Sequence, residues 1–185
     1  MVHSKGIAVT ARLHYVQEKF GQEGYDRLLA ALPADDRALI EARILPHAWV
    51  PFGLFVRVNV EADRLFGAGD LKLCFDMGSY GAELNLPRVF RLFYRLGTPM
   101  FIFGKAAKLW RAHYDSGEMV TSRDAAGVIH LEIRDFEEPH RAHCESVLGW
   151  MAKSVQLSGG KVLRAEEVRC RTRNDSVCEL IIAWR

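Results

Sequence analysis

The chain has 185 residues, 49% of them hydrophobic and 26% charged, and a net charge of +2. That length suits one domain, 1–185, with a continuous core, and so small a charge offers no polybasic field to DNA or RNA. The longest apolar stretch, Ile44 to Phe55, is broken by Pro46, His47 and Pro51, short of the ~18–20 residues that cross a bilayer.

The opening Met1-Val-His-Ser-Lys-Gly lacks the charged start and apolar core of a signal peptide, so a cytoplasmic location is expected. In a reducing compartment cysteines are free thiols or metal ligands more often than disulfides. Three of the four, Cys144, Cys170 and Cys178, fall close together near the C-terminus.

In chain order, Ile7, Val9, Leu13, Val16 and Phe20 predict a helix from Gly6, stopped at Gly21. A short helix over 25–32 ends at Pro33, and Asp35 or Asp36 caps another over 37–44. Residues 45–51 form a rigid connector, with Pro51 suited to the first turn of a helix over 52–66. Further helices are expected over 70–84, 87–96 and 100–114, separated by Gly67-Ala-Gly69 and Gly97-Thr98-Pro99. The pattern then changes. Residues 118–122 and 128–134 read as a hairpin around Asp124-Ala-Ala-Gly127, and Pro139 opens a helix to about 157. Strands over 161–170 and 177–184 close the chain with β-branched content. The expectation is an α+β domain, a helical N-terminal block packed on a small antiparallel sheet of two hairpins.

Cys170 and Cys178 sit near the end of the last hairpin, and Cys144 lies in the first turns of the preceding helix, where the dipole favours a thiolate. Glu167 is placed to complete a tetrahedral set around zinc. Residues three apart on a regular strand face opposite sides, so Glu167 and Cys170 need a bulge or a strand end. Arg141, His143, Arg171 and Arg173 are near enough to offset the negative shell, and His140 or His143 is an alternative fourth ligand. Spacing alone leaves a second possibility open, that the cysteines are small buried hydrophobes.

The stretch from Gly160 through Glu166-Glu-Val-Arg-Cys170 to Cys178-Glu-Leu-Ile-Ile-Ala-Trp184 resembles the C-terminal signature of 4-vinyl reductase domains, the sensor modules of phenol-responsive activators and predicted hydrocarbon-binding proteins. Their metal-binding members follow Cys, a long gap, then Glu-x2-Cys-x7-Cys, which Cys144, Glu167, Cys170 and Cys178 match. Trp49-Val-Pro51, Met77-Gly-Ser79, Leu109-Trp110 and Tyr114-Asp-Ser-Gly117 resemble a related paralogous family abundant in myxobacteria. The resemblance implies a fold shared with TRAPP trafficking subunits and haem–nitric-oxide sensor domains (the NO-signalling and Golgi-transport ligand-binding fold), a structural zinc and a homodimer. Cys74 matches no ligand position and is expected in the core.

The aromatic run Phe90, Phe93, Tyr94, Phe101, Phe103, Trp110 and Tyr114 is suited to enclose a small hydrophobic or aromatic ligand. Phe93, Phe101, Trp110, His113 and Tyr114 are the candidate lining, with Trp110, His113 and Tyr114 presenting polar tips. Aromatics at helical spacing also serve as plain core. Haem is not expected: haem sensors of this fold carry Tyr-x-Ser-x-Arg, whereas this chain has Tyr114-x-Ser116-x-Glu118, and a carboxylate repels propionates. No phosphate loop, His-Glu-x-x-His pair or nucleophile elbow suggests an enzyme. The reading is a zinc-stabilised small-molecule sensor working through a regulatory partner, with a TRAPP-like interaction module as the alternative.

Overall fold

Hydrophobic spacing makes the N-terminal half helical, and the computed structural model, which describes residues 1–85 and 99–185, places those helices in the expected order. Strand β1 (His3–Lys5) leads into α1 (Gly6–Ala31), α2 (Ala34–Glu41), β2 (Trp49–Pro51), α3 (Phe52–Phe66) and α4 (Lys72–Asn85). The expected stop at Gly21 is a kink within α1: its φ of 69° lies in the left-handed region that glycine enters without steric cost. Helix α3 forms despite Val56, Val58 and Val60, because Phe52, Leu54, Phe55, Val58 and Ala62 are all buried on it. Packing of an apolar face outweighs weak propensity. The helix expected over 87–96 lies outside the described residues.

Two expectations are corrected by long-range and local geometry. The connector over 45–51 contains β2, which pairs antiparallel with β1, Ser4 opposite Val50. Strands this short show no readable alternation. The single helix expected over 100–114 is two, α5 (Pro99–Phe103) and α6 (Ala106–His113), parted at Gly104 and Lys105.

The second half is a sheet of β3 (Glu118–Arg123), β4 (Ile129–Arg134), β5 (Val162–Arg169) and β6 (Cys178–Trp184), with α7 (Arg141–Leu157) between its two hairpins. The strand order is β3-β4-β6-β5, antiparallel throughout. Alternation turns Ile129, Leu131, Ile133, Leu180 and Ile182 into the core, while His130, Glu132 and Glu179 meet on the other face. The architecture is the α+β class expected.

Helix α7 carries residues of both sites described below, and glycines set its position. A Cβ on Gly149 would stand 2.0 Å from the Phe75 carbonyl oxygen, and one on Gly78 2.0 Å from that of Ser146, so α4 and α7 touch backbone to backbone. Ser79 Oγ donates to the Gly149 carbonyl at 3.0 Å across the same crossing. Buried Asp63 fixes the start of α4 by accepting the Leu71 and Leu73 N–H groups at 2.9 and 3.1 Å. Among the described residues no helix is long and apolar enough to cross a membrane.

Candidate functional site

The three clustered cysteines come together in space. Cys144 lies in the first turn of α7, whose N-cap His140 accepts the Ala142 N–H on Nδ1 at 3.1 Å. Cys170 and Cys178 flank a 3-10 turn, Arg171–Arg173, between β5 and β6. All three Sγ atoms are buried and lie within 4.8 Å of one another, with Cys170 and Cys178 at 3.8 Å. Tetrahedral zinc with sulfur at about 2.3 Å sets its sulfurs about 3.8 Å apart.

The β5–β6 register shifts between Glu167 and Arg169, an irregularity of the kind the Glu167–Cys170 spacing demands. The Glu167 side chain is 2% exposed. Its Oε2 accepts from Arg141 at 3.1 Å and from Arg173 at 3.0 Å, while Oε1 is buried without a partner. A hydrogen bond from Cys144 holds the Cys170 thiol down to about 6, against burial, with Thr172 assisting and Glu167 opposing. Cys178 is lowered by the same donor, and Cys144 is correspondingly raised. Thus the proton stays on Cys144 while two thiols lean towards the thiolate that a metal takes. His140 is engaged in capping, and the His143 ring turns into an aromatic cluster. Neither imidazole joins the triad, and Glu167 lies beside Cys170 without entering it. Cys74 is buried apart from it, with its thiol pushed up to about 12 by burial.

Trp110, His113 and Tyr114 line one cavity of about 80 Å³ between α1, α6 and α7. Phe93 and the Phe101 side chain lie outside the described residues. Two of the three polar tips expected to orient a ligand already face backbone: Trp110 Nε1 donates to the Ser116 carbonyl at 2.9 Å, and His113 Nδ1 sits 2.8 Å from the Leu109 carbonyl. Tyr114 packs on Trp110 with ring centroids 4.5 Å apart, and burial pushes its hydroxyl up to about 12.

Sequence reasoning missed Arg12. It lines the cavity from α1 and is 5% exposed. The signal was present, a cation four residues from Ala8 and four from Val16 on the buried stripe of α1. Behind the cavity the rings of Phe52, Phe55, Trp110, Tyr114 and Phe136 surround His143 at 4.8 to 5.9 Å. Burial holds His143 down to about 3, so it is neutral, and its Nε2 has no partner.

No family model matches the sequence, and no curated protein does. Solved structures do. An H-NOX protein from S. oneidensis in the Fe(II)NO ligation state superposes with a TM-score of 0.76 at 13% identity, covering 98% of this chain and 99% of that one. The Fe(II) unliganded H-NOX protein from K. algicida gives 0.70 at 15% identity, covering 98% and 96%. An oxygen-binding H-NOX domain related to soluble guanylate cyclases, in its oxygen complex, gives 0.62 at 12%, covering 98% and 95%.

The chain has the H-NOX fold. This overturns the expectation set against haem, because the neighbours sharing the fold over their whole length are iron-bearing proteins. The local reasoning fails as well. Glu118 is exposed at the start of β3, opposite Arg134, whereas the cation beside Tyr114 is Arg12, from the far end of the sequence. The donor types that haem takes are present in the described residues: a neutral imidazole with an unpartnered Nε2 at His143, and a buried guanidinium at Arg12. The cavity of about 80 Å³ is below the ~300–1,000 Å³ usual for a cofactor site, so a macrocycle requires it to widen.

Proposed function

We propose that the chain is a small-molecule-sensing domain of the H-NOX fold. It takes a small apolar or aromatic molecule in the cavity lined by Trp110, His113 and Tyr114, and holds a structural zinc on Cys144, Cys170, Cys178 and Glu167. The observation that carries this reading is the cavity itself, walled by Trp110, Tyr114, Met119, Trp150 and Met151 and set between helices that the H-NOX fold brings together. The likeness of the closing hairpin to 4-vinyl reductase domains supports it. A shell of four protein donors leaves no open position for water, which assigns the metal to structure. Ligand binding would be reported through a homodimer or a regulatory partner.

The test is titration of the full chain with phenol and toluene, followed by tryptophan fluorescence, since Trp110 and Trp150 both line the cavity. Saturable quenching is expected, and Ala106→Leu, which fills the cavity from its buried wall, should remove it. Binding that ignores this substitution would sink the reading.

A second reading is favoured by the iron-bearing neighbours and by the unpartnered His143 Nε2: the ligand is haem, and His143 would hold its iron. Titration with haem should then give a Soret band that His143→Phe abolishes. An identical band in that variant would exclude His143 as the ligand.

A further inference from the structure

The cavity is lined mainly by apolar side chains, with polar groups from Arg12, His113, Tyr114 and Ser146. Arg12 is buried there, and its only hydrogen bonds among the described residues go to neutral oxygens, the Ala8 carbonyl at 3.0 Å and the Ser146 hydroxyl. Those two bonds engage two of the five N–H donors of a guanidinium, and Nε has no partner. No carboxylate of the described residues forms an ion pair with it. Arginines that meet a buried carboxylate are more exposed than Arg12: exposed Arg57 pairs with Asp36 at 2.5 and 2.8 Å and half-buried Arg141 with Glu167, while the side chains of half-buried Arg37 and Arg171 donate to backbone carbonyls. Burial alone pushes Arg12 down to about 10, still protonated at neutral pH.

A buried charge is retained when it is paired, because removal from water is costly without a counter-charge. Here the Phe55 face, 4.9 Å from the guanidinium carbon, supplies a partial one. The guanidinium side chain lines a space whose other walls include Trp110, Tyr114, Trp150, Met119 and Met151. We infer that the molecule bound in this cavity is a small acid with an apolar body, whose carboxylate pairs with the Arg12 guanidinium. Guanidinium and carboxylate match in planar, two-bond geometry. The volume sets the scale: an apolar cavity of about 150 Å³ holds benzene, so about 80 Å³ takes a short chain as it stands and a ring the size of benzoate's only on widening.

This inference rests on the cavity being the ligand site, and the experiment separates the two. Calorimetry on the full chain compares benzoate with benzamide, which has nearly the same shape and no charge, in the wild type, Arg12→Lys and Arg12→Met. Benzoate should bind the wild type at least about tenfold more tightly than benzamide. Arg12→Met should weaken benzoate by about 100-fold, in the range of a lost charge-assisted pair, and leave benzamide unchanged. Arg12→Lys, which keeps the charge and loses the fork, should fall between. Should the Met variant not fold, the benzoate-to-benzamide ratio in the wild type decides alone. Equal affinity, or benzamide binding without benzoate, overturns the acid and leaves the cavity as a ligand site. Failure of both, together with phenol and toluene, overturns the cavity too.

Discussion

The end of the β5–β6 hairpin and the Arg12 cavity handle buried polarity in opposite ways. At the hairpin three thiols converge with Glu167 beside them, and the surroundings answer most of their polarity: Arg141 and Arg173 grip Glu167 Oε2, and the Arg171 N–H donates to Cys178 at 3.4 Å, leaving Glu167 Oε1 without a partner. At the cavity a single cation enters a mainly apolar space and is left incomplete. Both regions take residues from α7, Cys144 in one and Ser146 in the other. The contrast shows how one scaffold buries donors that largely satisfy one another and, elsewhere, a donor that is left incomplete.

The largest expected effect tests the hairpin side. Chelation, or Cys178→Ser, should release one zinc per chain by elemental analysis and lower the unfolding free energy by roughly 3–5 kcal/mol, since a structural metal couples its binding to folding. Wild-type protein that is fully stable after metal removal would end the zinc assignment. The next substitution should disturb both regions together. Gly149→Ala drives a Cβ into the Phe75 carbonyl oxygen, and backbone offers no flexible end to move. A loss of about 2–3 kcal/mol by urea unfolding is expected, with weaker zinc retention and weaker benzoate binding in the same variant. If only one site suffers, α7 does not couple them.

Arg12→Met sharpens the comparison by reversing the usual sign. Truncating a member of the hairpin site should destabilise, whereas replacing a buried unpaired cation by a hydrophobe of similar length should raise stability by about 1 kcal/mol while benzoate binding is lost. A large destabilisation would make Arg12 a structural residue.

The two regions also differed in how far they could be read. The grouping of Cys144, Cys170 and Cys178 was visible because each is a chemically distinctive residue, spaced around a helix start and a hairpin turn that local rules locate. Even the irregularity between Glu167 and Arg169 followed from strand geometry. Arg12 and Tyr114 are brought together only by tertiary structure, so a motif centred on Tyr114 looked for the cation at Glu118 and found an acid. The β1–β2 pair was hidden for the same reason: its partners are far apart in sequence and too short to alternate. Local pattern reports what neighbours in sequence do, and the cavity is lined by residues that are not neighbours.

The smallest effect belongs to the outer face of the sheet, which serves as a control on both regions. His130 on β4 lies 2.6 Å from Glu179 and 3.4 Å from Asp124, and the Glu179 hydrogen bond, followed by that of Asp124, raises its pKa above the ordinary 6.5. A histidine raised on folding binds its proton more tightly when folded. Its contribution is therefore complete below about pH 6.5 and disappears as pH rises through the folded value. With 29% of the side chain exposed, screening keeps it below about 1 kcal/mol. His130→Gln should flatten that shallow decline in urea unfolding measured from pH 6 to 9, with zinc content and benzoate affinity unchanged. A change in either would mean that the outer face communicates with the sites, and the contrast between hairpin and cavity would have to extend through the sheet.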